Sequence, residues 1–208
     1  MRIEKLSPAP DRAGKYRVAF EDGTILRLYR QTVEDFGLYA GKELEEAELS
    51  QLRTAAGEMS AKMRAVRIVS ATSISKKELQ QRLIRKGEDP SQAQAAVEWM
   101  SDLDLLDDSK TARQIVDSCI RKGYGPARAK QALYEKRIPR ELWEEALAEY
   151  PDQENNILEF FRSRLTDPSD EKAVKRCVDA LLRRGHSYGS IRRALAQLSL
   201  DADEFPED

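Results

Sequence analysis

Between Arg113 and Leu147 the apolar positions fall into three short helical stripes, each punctuated where a helix should stop. Ile115, Val116, Cys119 and Ile120 share one face by the i, i+3, i+4 spacing. Gly123 ends that run, at a position where a left-handed residue needs no Cβ. Pro126 opens the next helix at a first-turn position where its missing N–H costs nothing. Ala129, Ala132 and Leu133 form its stripe. Ile138-Pro139 breaks the chain before a third helix offering Leu142, Trp143, Ala146 and Leu147. None of these helices is long enough to stand alone in water, so the triplet must close on itself.

The same pattern recurs on either side, and a recurring unit changes the reading of the whole chain. The middle helix of the triplet ends in Leu133-x-x-Lys136-Arg137. Equivalent ends stand at Leu83-x-x-Lys86-Gly87 and Leu181-x-x-Arg184-Gly185. Further on, Ala96-Val97, Ala146-Leu147 and Ala194-Leu195 occupy matching places. Each unit is preceded by an apolar-faced helix, the first carrying Met63, Val66, Ile68 and Val69, the last Ile157, Leu158, Phe160, Phe161 and Leu165. The expected fold is mainly α, with three tandem three-helix repeats forming an elongated curved array at 58–108, 109–151 and 152–200. An acidic tail, 201–208, follows.

Caps sharpen the helix starts. Ser75 to Glu78 fits a capping box, and Asp89-Pro90 pairs a cap with a first-turn proline. Asp108 is expected to cap the helix of Ile115, Asp152 that of Phe160, and Ser187 the last helix. Asp167-Pro168 is expected to open the middle helix of the third repeat. Residues 1–57 read differently, as a small β-hairpin or meander module with short helices. Ile3 to Leu6, Tyr16 to Phe20 and Ile25 to Tyr29 are β-rich, and Asp22-Gly23 signals a two-residue hairpin with positive φ at both turn positions. One short helix should follow Thr32 and end at Gly37, and another should run from Glu43 to Leu52. Such a sheet needs helices over one face.

Composition agrees with a chain of wet helical units: 40% of residues are hydrophobic and 35% charged. No apolar run is long enough to span a bilayer and no signal-peptide core is present, which places the chain in the cytoplasm. Cys119 and Cys177 read as small buried hydrophobes in a reducing compartment. The net charge of −2 conceals segregation. Nine Lys/Arg face two acids between Lys110 and Arg140, and seven face one between Lys172 and Arg193. Acidic blocks occupy Glu98 to Asp108 and Glu141 to Glu154. A charge run is usually a solvated face. Two basic blocks at equivalent places in successive repeats point instead to a positive stripe for nucleic acid or an acidic protein surface.

Catalytic chemistry is hard to find. The single histidine, His186, sits in a helix-to-helix turn with no second histidine or nearby cysteine, so it makes no common zinc site. No phosphate-binding loop, dinucleotide fingerprint or Cys-x-x-Cys occurs. Gly123-Tyr124-Gly125 follows a helix instead of a strand and reads as a turn. The chain is expected to bind without catalysing, and to need no cofactor and no metal.

Two phrases carry a family resemblance: LDLLDDSKTARQIVDSCIRKGYGPARAKQALYEKRIP from Leu103 and LLRRGHSYGSIRRAL from Leu181. They resemble the RecX family, bacterial regulators of the recombinase RecA, over roughly residues 60–198. The resemblance rests on Asp107 or Asp108 before a basic helix, on the Leu133 to Ile138 helix end, and on Arg183 to Tyr188. Arg137 departs from the glycine of the pattern and predicts a turn that closes differently. His186 stands where the family has an aromatic residue, which predicts looser packing. The resemblance implies a curved helical protein lying in the groove of the RecA filament on single-stranded DNA, where it bridges protomers, suppresses ATP hydrolysis, strand exchange and stimulated repressor cleavage, and blocks filament growth or promotes disassembly.

From the two basic blocks, Arg121, Lys122, Arg128, Lys130, Arg183, Arg184, Arg192 and Arg193 are the expected filament or DNA contacts. Arg128 and Arg193 lie off their apolar stripes and should be exposed. Two alternatives remain: a sequence-independent DNA-binding helical module without RecA specificity, and a helical scaffold that ignores nucleic acid. Nothing in the sequence marks a dimerisation seam, so a monomer with no membrane contact is expected.

Overall fold

A computed structural model describes residues 1–8, 14–167 and 169–203, with side chains up to residue 198. The chain forms two compact units, Met1–Leu106 and Asp107–Asp208.

The first unit opens with an antiparallel sheet of β1 (Ile3–Pro8), β2 (Lys15–Phe20) and β3 (Ile25–Tyr29), in that order across the sheet. Val18 pairs with Leu26 and Tyr16 with Leu28, which turns Val18, Phe20 and Leu28 into one core. The hairpin differs from the two-residue expectation. Only Gly23 has positive φ, at 83°. Gly23 N–H donates to the Phe20 carbonyl (3.0 Å), and the Asp22 carboxylate accepts from Thr24 N–H (2.9 Å). This is the longer turn in which one left-handed glycine follows an ordinary bend.

Helix α1 (Arg30–Asp35) starts before Thr32 instead of after it, and its first turn has no side-chain cap. Gly37 follows it at φ 52°. Helix α2 (Glu46–Ala71) replaces two expected helices and runs through the expected boundary at residue 57. Its apolar positions explain why it reads as two. Leu49 and Leu52 pack under the sheet with Val33, Leu38 and Leu44, whereas Ala61, Ala65 and Ile68 enter a second core. Leu52 and Ala61 are nine residues apart, about two and a half turns, so the stripes face opposite sides. That second core is completed by α3 (Lys76–Arg85) and α4 (Pro90–Asp102). The capping residues act as expected: Ser75 Oγ accepts from Glu78 N–H (3.1 Å), and the Asp89 carboxylate accepts from Ser91 N–H (2.8 Å).

The second unit holds two further helical clusters. In one, α5 (Asp108–Arg121) and α6 (Pro126–Glu135) close with a 3-10 turn, Arg140–Leu142, and α7 (Trp143–Leu147) around Ala112, Val116, Leu133 and Ile138. The cap of α5 is Asp107, not Asp108. Its carboxylate accepts from the N–H groups of Ser109 (2.8 Å) and Lys110 (3.1 Å), which hold it below the usual carboxylate range, while Asp108 is buried in the first turn. In the other cluster, α8 (Glu154–Arg162), α9 (Glu171–Arg183) and α10 (Tyr188–Asp203) surround Ile157, Phe161, Leu181, Ile191 and Ala194. Asp170 caps α9, three residues later than the expected Asp167-Pro168 start. Pro168 itself lies outside the described residues. Ser187 Oγ accepts from Ser190 N–H (3.0 Å) as its position predicts, whereas α8 starts one residue later than expected, after Gln153, with Asp152 accepting from Glu154 N–H (2.9 Å). The acidic tail expected from residue 201 overlaps the end of α10, and residues 204–208 lie outside the described residues. Among the described residues no helix is long and apolar enough to cross a membrane.

Candidate functional site

The middle helices α3, α6 and α9 end alike. Leu83, Leu133 and Leu181 are almost wholly buried, and each accepts the N–H five residues on: Glu88 (3.2 Å), Ile138 (3.0 Å) and His186 (3.2 Å). The residue between, Gly87, Arg137 or Gly185, is left-handed in all three, at φ 90°, 57° and 86°. This is a Schellman closure, with the next N–H satisfying a carbonyl that would otherwise be orphaned. The turn at Arg137 therefore closes as the two glycine turns do, against the expectation from its sequence.

In the second unit two turns dock on one another. Gly125 N–H donates to the Arg184 carbonyl (2.9 Å) and Ala127 N–H to the Gly185 carbonyl (3.2 Å). The first N–H groups of α6 thus meet the last carbonyls beyond α9, pairing the positive end of one helix with the negative end of another. This explains why Gly125 caps α6 without a side chain. Approach is close enough that a Cβ at Gly125 would overlap the Gly185 carbonyl, and one at Gly185 would overlap the Arg128 backbone. His186 Nε2 donates to the Gly123 carbonyl (3.1 Å), and the Tyr150 hydroxyl donates to the Tyr124 carbonyl (2.7 Å). Burial pushes that hydroxyl up to about 12, helped by the neighbouring Cys119 thiol. His186 is buried, with 5% of its surface exposed, where looser packing was expected.

The three N–H groups of Gly123, Tyr124 and Gly125 are engaged by Ile120, Cys119 and Arg184 carbonyls, which leaves no amide free to cradle a phosphate there. Burial also raises the Cys119 thiol above its ordinary value, the opposite of nucleophile activation. Among the described residues no cluster of His, Cys, Asp and Glu could hold a metal ion.

The eight sequence-selected cations separate into two groups. Arg184 is half-buried and stacks over the rings of Phe160 (5.2 Å) and Tyr124 (5.9 Å), where it braces the docked turns. Arg128 is half-buried instead of exposed, pairing with Glu135 at 3.1 Å. Arg184 thus serves the joint between clusters, whereas the Arg128 side chain pairs within its own helix. Arg121, Lys122, Lys130, Arg183, Arg192 and Arg193 are exposed, and no described carboxylate lies within 4.0 Å of any of them. Arg193 donates to Ser190 Oγ (3.4 Å). The docked turns bring the end of α5, with Arg121 and Lys122, to the end of α9, with Arg183.

Two features escaped sequence reasoning. Backbone docking leaves no residue-type signature beyond Gly125 and Gly185. A concavity between α2 and α3 gathers Arg64, Arg67, Arg82 and Lys86, which are too far apart in sequence to form a charge block.

Comparison with known proteins adds a family to this geometry. Residues 107–147 match the model of the second three-helix domain of RecX. The chain is 32% identical over 134 residues to the regulatory protein RecX of Xanthomonas axonopodis pv. citri, across 63% of this chain and 83% of that protein. It is 28% identical over 210 residues to the regulatory protein RecX of Clostridioides difficile, covering 98% of this chain and 97% of that one. A crystal structure of a regulatory protein RecX shares the fold at a TM-score of 0.65 and 19% identity, over 92% of this chain and 98% of that one. RecX from Lactobacillus salivarius does so at 0.62 and 23%, over 70% and 99%. With a helical cluster at the matched residues and relatives spanned over most of their length, the chain belongs to the RecX family.

Proposed function

We propose that this protein regulates RecA by binding the RecA filament on single-stranded DNA, seated in the helical groove, and that it lowers ATP hydrolysis, strand exchange and filament growth. The reading treats residues 58–108, 109–151 and 152–200 as three repeats of one binding unit. Support comes from family membership together with one observation, the exposed cations without carboxylate partners at the docked ends of α5 and α9. Arg121, Lys122 and Arg183 make the central contact, with Lys130, Arg192 and Arg193 as further contacts. Cations held apart from carboxylates keep their charge available to phosphate or to an acidic protein face. The action is binding without catalysis, by a monomer.

The test is the ATPase rate of RecA on single-stranded DNA, titrated with this protein and with a Lys122→Glu/Arg183→Glu variant. Inhibition well below one molecule per RecA protomer is expected, with the variant needing about tenfold more protein. No inhibition and no filament binding at saturating protein overturns the reading, and an unimpaired variant overturns the assigned contacts.

A further inference from the structure

A pocket of about 390 Å³ lies in the first unit, between the C-terminal part of α2 and the end of α3. Arg64, Arg67, Arg82 and Lys86 surround it, and Ile68 and Ala71 supply an apolar wall. Arg64 is engaged: its Nε meets Glu88 at 2.8 Å and its Nη1 donates to the Lys86 carbonyl at 2.5 Å. Glu88 is buried and also accepts from Ser60 Oγ (3.1 Å), so the pair fixes one rim of the pocket. Arg67, Arg82 and Lys86 have no described carboxylate within 4.0 Å.

Three cations therefore converge on one concavity without neutralisation. The negative end of α3 accounts for Arg82 and Lys86 at that end. It does not account for Arg67, which enters from a second helix. Like charges gathered in this way repel each other, and an oxyanion seated between them relieves the repulsion through charge-assisted hydrogen bonds. Thr72 also lines the pocket, its hydroxyl donating to the Ser73 carbonyl (3.3 Å). The apolar wall has nothing to offer a bare inorganic ion and suits the face of a sugar.

We propose that this pocket binds a nucleotide unit, its phosphate between Arg67, Arg82 and Lys86 and its sugar against Ile68 and Ala71. A polynucleotide strand and a free nucleotide carry the same chemistry. The site needs no recombinase, so its fate is independent of the filament reading.

The experiment uses the full chain without RecA. Fluorescence anisotropy follows labelled (dT)20 across a salt series, and calorimetry follows dTMP. The variant is Arg67→Gln/Lys86→Gln, both exposed, and the control is Lys77→Gln/Arg85→Gln, which removes equal charge from exposed positions outside the pocket. The expected result is about tenfold weaker (dT)20 binding by the pocket variant, with a salt slope shallower by about 1.4 for two lost phosphate contacts. The control should bind like the parent. Loss of (dT)20 binding without measurable dTMP binding in the parent assigns a strand; parental dTMP binding that the variant loses assigns a free nucleotide. Equal binding of both ligands by parent and pocket variant overturns the proposal, as does an equal loss in the control. Unchanged thermal unfolding of the variant separates lost binding from lost structure.

Discussion

The turns at Arg137 and Gly185 make the same hydrogen bonds and hold the same left-handed backbone, yet one is built with a long charged residue and the other with glycine. Their surroundings explain the difference. Arg137 is exposed, and its Cβ projects where only the intrinsic strain of the left-handed conformation matters. Gly185 lies against the start of α6, where its carbonyl accepts from Ala127 and its α-carbon faces the backbone of Arg128. Conformation alone favours glycine at both places; close approach demands it at only one. A residue pattern shared by repeated turns can thus carry two different constraints, and the substituted position shows which constraint is weaker.

The sharpest way to break this comparison is Gly185→Ala. The added Cβ meets both positive φ and the Arg128 backbone, which has no flexible side-chain end to move aside. A loss of at least about 3 kcal/mol is expected, comparable to overpacking plus backbone strain. For a unit of this size, that corresponds to a melting temperature more than about 10 °C lower. Equal tolerance of alanine at 185 and of arginine at 137 would show that the docked turns separate easily. The opposite change, Arg137→Gly, should stabilise. Relief of about 1–2 kcal/mol of left-handed strain is partly offset by the greater freedom of glycine in the unfolded chain, leaving about 0.5 kcal/mol in favour. Chemical denaturation of the two proteins measures it as a higher midpoint with an unchanged slope.

How much of this was legible in sequence follows from the range of each interaction. The buried leucines, the Ser75 and Asp89 caps and the glycine stops depend on neighbours within a turn or two, and they read correctly. Asp107 and Asp108 are adjacent and both able to cap; burial of Asp108 inside α5 decides between them, and burial is a tertiary fact. α2 was hidden because its two apolar stripes serve different cores, so no single face persists along it. Gly57 lies at the expected boundary. In the structure it makes room for Gln92 of α4, whose side chain a Cβ would overlap. Among the candidate contacts, being off the local apolar stripe correctly placed Arg193 on the surface, whereas Arg128 is half-buried. Arg184 is covered by Phe160, and the backbone of Arg128 lies against the Gly185 turn; both neighbours come from other segments, which local periodicity cannot see. The Arg64 to Lys86 pocket was missed for the same reason.

The smallest effect concerns the residue after each turn, Ile138 in one and His186 in the other, both buried and both donating their N–H to the anchoring leucine. Only the imidazole responds to pH. Burial lowers the His186 pKa from its ordinary 6.5, and Arg184 lowers it further, against the opposing hydrogen bond to Gly123. With Nε2–H directed at that carbonyl, a second proton would sit on Nδ1, which is buried and has no hydrogen-bond partner. The unfolded chain therefore takes up its proton first as pH falls. Stability carried by neutral His186 is complete above about pH 6.5, declines below it, and stops declining once pH passes the lowered folded value. His186→Phe removes that dependence while keeping the volume filled. Denaturation midpoints of the two proteins between pH 7.5 and 5 should diverge on acidification, the parent losing more, because losses from carboxylates are common to both. Parallel curves would mean that the docked turns accept a charged imidazole as readily as a neutral one, with Gly185 and backbone pairing alone holding the joint.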